Sequence, residues 1–521
     1  MLKMVDGTGI IGLDMVCPLG GTVSPPQPPN YDKVEVEGVG SLMLPNSLKV
    51  PLERVELIGN SVQGENPAPD NPQEIKSAGR KSKNLFNIAD LRVGQVQKDG
   101  TINEKQIYYR TVILDVPQDG KYRITFNSND DYTMLYFSEM YTNGVYSQPY
   151  VRVHAGNSNS LISLKKGKNI LSFSTYNNNT QVDFPKDHNI MIAAESETLD
   201  YEPYGYFFDV KVTGKNLFNK ELIKKAMQGV SYLYVPIYVK KGSKVSFSYS
   251  KTLPSGLNFY VLLARDMGAS YGSYSWLYHS TATSLCNNEG TFVADNDVIS
   301  LSFFGSDLDI MIENLFNYLQ IEISDKPTPY EPYAEQFMQI VLNEPLRGIG
   351  EYKDMLTKDG VVRKIYPPYE INLNDLRDGG YSRTNTVMFS VKVQNKTVGY
   401  ASLKPSILCN ILPDCGLQTR NIYNDDKECI AVGGGIVLFR VNKSRLKDIS
   451  SFEAIKQSFI ELMEGKKMLV AYALETSVTE PLPESVQAQL SSLHSENGVT
   501  HVFVDSGEVE VGIKLTYRKE K

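Results

Sequence analysis

The stretch TLDYEPYGYFFDVKVTGKNLFN, residues 198–219, decides how this chain is read. Two uncommon strings stand at its ends. YEPY (Tyr201–Tyr204) returns at Tyr330–Tyr333, 129 residues on. NLFN (Asn216–Asn219) has an earlier copy at Asn84–Asn87, 132 residues back. A period near 130 is domain-sized, far longer than a solenoid repeat. A third NLFN, at Asn314–Asn317, lies only 16 residues ahead of a YEPY, whereas the other two lie 117 and 114 ahead of theirs. It falls outside the repeat.

Between the two strings the units align further. GKYRITFNS (120–128) matches GSKVSFSYS (242–250), and both alternate apolar and polar residues as half-buried strands do. YSQPY (Tyr146–Tyr150) matches YSWLY (Tyr274–Tyr278). Each unit runs from NLFN through short strands to a last strand that ends at YEPY. Short, evenly spaced strands with Gly, Asn, Asp and Ser turns predict antiparallel β-sandwiches. Pro203 and Pro332 forbid a continuing central strand, so YEPY reads as a strand terminator. KELIKKAMQG, in the second unit, has the make-up of a two-turn helix.

The C-terminal third reads differently. FMQIVLN and GIGEYKDMLTKDGVVRKIY predict strands around a hairpin that turns at KDG (358–360). KTVGYASLKPSILCNILP (396–413), GGGIVLFRV (433–441) and MLVAYALE predict further strands. In SSFEAIKQSFIELMEG (450–465) the apolar spacing is helical, with Gly465 as the stop. The fold class expected is mainly β: tandem jelly-roll-like β-sandwich modules plus a C-terminal α+β region. The boundaries expected are an N-terminal docking arm and linker over 1–79, module 1 over 80–207, module 2 over 208–335 and the α+β region over 336–521.

Bulk composition narrows the function. The 521 residues carry a net charge of −7 and no basic block, which argues against nucleic acid. No run of 18 apolar residues suggests a membrane span. Asp6 and Asp14 break the N-terminal apolar run, which makes it a poor export signal. Five scattered cysteines (Cys17, Cys286, Cys409, Cys415, Cys429) are no disulfide framework and read as reduced, buried thiols. The intervals between Cys409, Cys415 and Cys429 are too long for a zinc site, so no metal and no cofactor is expected. GGG at 433–435 precedes a strand and is not a phosphate loop. No nucleophile or paired-histidine motif stands out, so no catalytic residue is assigned and the chain is not expected to be an enzyme.

The best candidates for a site are aromatic. The chain has 32 Tyr and a single Trp, and that Trp falls in GASYGSYSWLYHS (268–280). Tyr271, Tyr274, Trp276 and Tyr278 of this loop, with Tyr141, Tyr146 and Tyr150 of the first unit, are the glycan-binding candidates. Sugar rings lay their C–H faces on such planes, and neighbouring Asn, Asp and Ser bond the hydroxyls. The same rings would also serve as packing at a sandwich edge or a subunit contact.

GKNLFN, IEISDKPTPYEPY, ELIGNSVQGENPAPDNPQEIKSAG (56–79) and ALETSVTEPLPESVQAQLSSLHSENGVTHVFVD (473–505) together resemble modules of tail, baseplate and fibre proteins from phages and prophages of Gram-positive bacteria. The resemblance covers roughly residues 50–521, and its modules look like carbohydrate-binding-module jelly rolls. It implies a virion structural protein, assembled in the bacterial host cytoplasm. Its partners would be other virion proteins met through the N-terminal arm, further copies of the chain, and host cell-wall glycan. A cell-wall carbohydrate-binding or adhesin protein, and a capsid decoration protein, are the alternatives.

Overall fold

The periodicity of the first unit dictates a sandwich. In Tyr109–Val116 every second residue from Val112 is apolar, and Val112, Leu114 and Val116 point inward. Leu135 and Phe137, Leu171 and Phe173, and Ile190 and Ile192 do the same from three other strands. In the computed structural model, which describes residues 31–127, 133–154, 160–177, 180–182, 184, 189–197, 200–222, 224–225, 232–249, 259–264, 290–294, 298–305, 317–380, 382–398, 405–415, 422–423 and 426–520, these strands form two antiparallel sheets. The larger runs in the order Val145–Ser147, Thr133–Thr142, Gly167–Asn177, Tyr109–Val116, Arg92–Val93. Val151–His154 and Thr180–Val182 pair onto its second and third strands. The smaller sheet is Ser160–Leu164, Gly120–Asn127, Asn189–Ala194. Phe173 sits at the centre, its ring 5.0 Å from Phe137 and 6.0 Å from Phe86.

The second unit repeats the plan. One sheet runs Lys224–Lys225, Tyr232–Tyr238, Val298–Gly305, Phe259–Ala264, and the other runs Gly290–Val293, Lys244–Tyr249, Leu319–Ile323. The helix expected over KELIKKAMQG is not formed at its start. Lys220–Leu222 is a single 3₁₀ turn, and Lys224–Lys225 is already strand, paired to Tyr234 and Leu233.

NLFN and YEPY meet in both units. Asn84 Oδ1 accepts from the amides of Phe86 (2.8 Å) and Ile192 (3.0 Å), and its Nδ2 donates to the carbonyls of Ile190 (3.0 Å) and Glu202 (3.1 Å). Asn216 makes the same four bonds with Phe218, Ile321, Leu319 and Glu331, at 3.0 to 3.1 Å. Both asparagines are buried, and each uses its whole side-chain bonding capacity to tie the entry of a sandwich to its exit.

A twelve-stranded antiparallel sheet carries these units. Its order is Glu335–Leu342, Tyr206–Thr213, Gly498–Asp505, Ser41–Ser47, Tyr31–Val39, Gly512–Glu520, Leu52–Ile58, Met355–Thr357, Gly360–Glu370, Leu469–Glu480, Ile407–Cys409, with Arg80–Lys81 beside Tyr206–Thr213. Residues 31–58, expected in a docking arm, are therefore strands of this hub, and Tyr31–Val39 pairs along its whole length with Gly512–Glu520. Residues 1–30 of that arm lie outside the described residues. The boundaries expected at 207 and 335 fall within the strands Tyr206–Thr213 and Glu335–Leu342, which pair with each other. The repeat period measures a sandwich together with the hub strand that follows it.

The C-terminal region is mostly strand as well. Arg377–Asp378, Thr386–Lys392, Ile436–Asn442 and Cys429–Gly433 form a four-stranded sheet in the same chain-order pattern as the main sheets of the two sandwiches. Among the described residues α-helix occupies Phe452–Leu462 (α1) and Glu484–Ser492 (α2). Ser451 caps α1, and Gly465 follows it in the left-handed region (φ 72°) that glycine tolerates. Phe459 of α1 packs at 5.3 Å from Phe389 and 5.6 Å from Phe439 of the sheet. α2 packs Val486 and Leu490 into the hub core. Of the strand expected over 396–413, Ile407–Cys409 is the part formed within the described residues. Cys415 and Cys429, expected as free thiols, are disulfide-bonded with Cα atoms 5.0 Å apart, whereas Cys409 is free and buried. Pairing of Cys415 with the strand of Cys429, through its amide and the Ile430 carbonyl, brings the two together. Burial pushes the Cys409 thiol up to about 12.

Candidate functional site

The face of the first sandwich that points away from its core holds a row of polar and aromatic residues. Directly paired residues in antiparallel strands share a face. The register Tyr109↔Ser174↔Tyr136↔Arg152 therefore lines up four side chains across four strands. The next row is Arg92↔Thr111↔Ser172↔Glu139. A third is Ile113↔Ile170↔Tyr141↔Tyr146. A bulge between Phe137 and Glu139 shifts the strand by one residue, and this turns Glu139 onto the tyrosine face.

The hairpin of Gln95–Val96 and Ile102–Asn103 covers part of this face. Val96 donates its amide to Ser172 Oγ (2.7 Å), and Thr111 Oγ1 donates to the Gly94 carbonyl (2.7 Å). What remains is a half-buried patch of Tyr109, Tyr136 and Tyr176, with Ser174 and Glu139 buried at its floor. The Tyr136 ring lies 6.2 Å from Tyr176, edge-on, and 6.2 Å from Tyr150. The Arg152 guanidinium stands 5.4 Å from the Tyr136 centroid. Burial pushes the Tyr109 phenol above its ordinary range, and the Glu139 carboxylate adds to the shift. The phenols of Tyr136 and Tyr146 are raised for the same two reasons among others.

Two buried polar atoms here have no hydrogen-bond partner among the described residues: Ser174 Oγ and Gln181 Nε2. Gln181 is paired to Tyr176, so it shares the tyrosine face. Each such atom costs about 1–3 kcal/mol unless a ligand or water meets it. The patch thus combines ring planes with a carboxylate, a hydroxyl and an amide donor buried close beneath them. That set suits a polyhydroxylated ring compound, which offers apolar C–H faces and many hydroxyls.

Of the candidates read from sequence, Tyr150 and Tyr146 border this patch. Tyr150 is 55 % exposed and in the left-handed region (φ 50°), at the turn ahead of Val151–His154. Tyr141 lies under the covering hairpin, where a Cβ at Gly100 would meet its ring at 2.6 Å, so it serves packing. Tyr271, Tyr274, Trp276 and Tyr278 lie outside the described residues. Tyr109, Tyr136, Tyr176, Glu139 and Ser174 were not singled out in the sequence. Their alternation marks strands, and only the register brings them into one patch.

The clefts of the hub are ionic and paired within themselves. One of about 450 Å³ is lined by Arg80, Arg347, Lys76 and Glu508, among others. Arg80 pairs with Glu202 and Asp209, Lys76 with Glu508, and Arg347 with Glu344. Among the described residues no group of three His, Cys, Asp or Glu is placed to hold a metal ion. No helix among them is long and apolar enough to cross a membrane. No family model matches the chain, and no curated protein matches it.

Proposed function

We propose that this chain is a structural protein of a phage tail, baseplate or fibre, and that its first sandwich attaches to host cell-surface glycan. The observation that carries the glycan half is the tyrosine face: the row Tyr109, Ser174, Tyr136, Arg152 with Glu139 behind it and an unpaired Ser174 Oγ. The virion half rests on the strings NLFN, YEPY and TEPLP and on a plan in which one hub sheet holds several inserted units. A sugar would lie with its C–H face on Tyr136, between Tyr150 and Tyr176, while Ser174 and Gln181 bond its hydroxyls. One such site is weak, and many copies on one particle would add their affinities through multivalency.

The glycan half is tested by retention of the full chain on purified Gram-positive cell walls. Binding that falls about twofold to tenfold in Tyr136→Ala, with the thermal midpoint unchanged, supports it; one stacked pair of about 0.5–1.5 kcal/mol predicts that size. Absence of binding by the unaltered chain overturns it. The virion half is tested by antibody labelling of intact particles in the electron microscope. Label at the distal tail supports it. Label on cell walls and on no particle overturns it in favour of an adhesin.

A further inference from the structure

The tyrosine face has a charge preference as well as a shape. Glu139 is 7 % exposed and forms no ion pair among the described residues. Ser138 Oγ donates to one of its carboxylate oxygens. A carboxylate this far from water is expensive to keep without a cation. Its surroundings add to the cost. Tyr109, Tyr136 and Tyr146 all feel its charge, and the faces of phenol rings carry negative electrostatic density. The bases on the same face are held apart from it. Arg152 is committed to the Tyr136 ring, and Arg92 stands three strands away along the Glu139 row. A carboxylate set beside aromatic faces is the arrangement that recognises ammonium groups.

We propose that the patch selects a saccharide bearing a free ammonium group, an amino sugar without N-acetylation, with the cation on Glu139 and the ring on Tyr136. This rests on the glycan reading above and adds the class of sugar. N-acetylation removes the charge and adds bulk, so the acetylated sugar would leave Glu139 uncompensated. Ser174 Oγ, buried and without a partner among the described residues, stands one row from Glu139 and is available to a neighbouring hydroxyl.

The test is calorimetric titration of the intact protein with glucosamine oligomers and with N-acetylglucosamine oligomers of equal length, alongside cell-wall fragments. The expected result is binding of the free-amine oligomer at least about tenfold tighter, about 1.4 kcal/mol. Glu139→Gln should abolish that preference, and Tyr136→Ala should weaken both ligands. Binding to cell-wall fragments without preference for the amine overturns the ammonium step alone. A preference that persists in Glu139→Gln also overturns it, because attraction of a polycation to an acidic chain would then suffice. No binding to the fragments or to either oligomer overturns both readings. The comparison of the two oligomers needs no variant, so a Glu139→Gln protein that fails to fold leaves it decisive.

Discussion

Asn84 Nδ2 donates to the backbone carbonyl of Glu202 across 118 residues of sequence, and Asn216 Nδ2 repeats the bond to Glu331 across 115. The first residue of NLFN and the second of YEPY are thus two halves of one clasp. Alanine at either asparagine strands two amides and two carbonyls in a buried place. We expect Asn84→Ala and Asn216→Ala each to cost about 2–4 kcal/mol, more than one ordinary hydrogen bond. Aspartate should do no better, since a carboxylate would face two carbonyls. Calorimetric unfolding checks this, and a midpoint within a degree of the parent in both variants would remove the clasp from the account.

The strings were legible because each is a local word with a local job. A third such word lies in the chain. Asn87-Ile-Ala-Asp-Leu-Arg-Val-Gly94 and Asn372-Leu-Asn-Asp-Leu-Arg-Asp-Gly379 share a pattern. In both, the Asn caps a 3₁₀ turn and its Nδ2 donates to the Asp carboxylate at 3.0 Å. Both lead into the edge strand of a sheet with the same strand order, so the C-terminal region carries a third sheet of the sandwich type. Helix α1 packed against it masked the kinship. The hub was illegible for another reason. Tyr31–Val39 finds its partner at the other end of the chain, and no local pattern encodes such a pairing. Glu139 was hidden by its bulge, which breaks the alternation that would have put it on a face.

The tyrosines of the candidate site should rank by position. Tyr150 is exposed and beside Tyr136, so Tyr150→Ala should lower glycan retention about threefold to tenfold. Tyr141 packs under the Gly100 turn, so Tyr141→Ala should instead lower the unfolding midpoint and leave binding by the folded protein near the parent value. Retention on cell walls and thermal denaturation, measured on the same samples, separate the two. The reverse ranking would move the site away from the patch.

Asp354 is wholly buried and holds the hub turn together. Its carboxylate accepts from the amides of Lys364 (2.7 Å), Ile365 (3.1 Å) and Arg347 (3.1 Å) and from the Arg363 guanidinium (3.3 Å). Asp354→Ala leaves the buried Arg363 with Glu480 as its remaining carboxylate, beside the Pro345 and Glu344 carbonyls, and three amides unpaired. The expected loss is about 3–5 kcal/mol by urea unfolding. A loss under 1 kcal/mol, the size of a surface pair, would show the turn to be held by the hub ladder instead.

The cysteines give a count. With Cys415 bonded to Cys429, the unreduced, unfolded chain should expose at most three thiols to an alkylating reagent, and five after reduction. Closing that short loop is worth about 3 kcal/mol in the chain-entropy account, so reductant should lower stability by up to that amount. Five thiols before reduction would mean that the pair is reduced in the isolated protein.

His501 sets an acid limit on the hub. It is 2 % exposed, in the row Thr213↔His501↔Met43, with its ring 6.1 Å from Phe503. Burial pushes its imidazole down from 6.5 to about 4. Above pH 6.5 the ring is neutral in both states and exerts no pull. As pH falls from 6.5 towards 4, the unfolded chain takes up a proton that the folded hub refuses, so stability falls with pH across that window. At about 1.4 kcal/mol per unit, the full loss is on the order of 3 kcal/mol. Carboxylates protonate in the lower part of the same window, so the quantity to measure is the difference between the parent and His501→Gln. Urea unfolding at pH 7.5 fixes the cost of the substitution itself. Between pH 6.5 and 4.5 the parent should lose stability faster than the variant, the gap growing by most of that 3 kcal/mol. Parallel curves would mean that the folded hub admits the proton, with water or a backbone carbonyl reaching the ring.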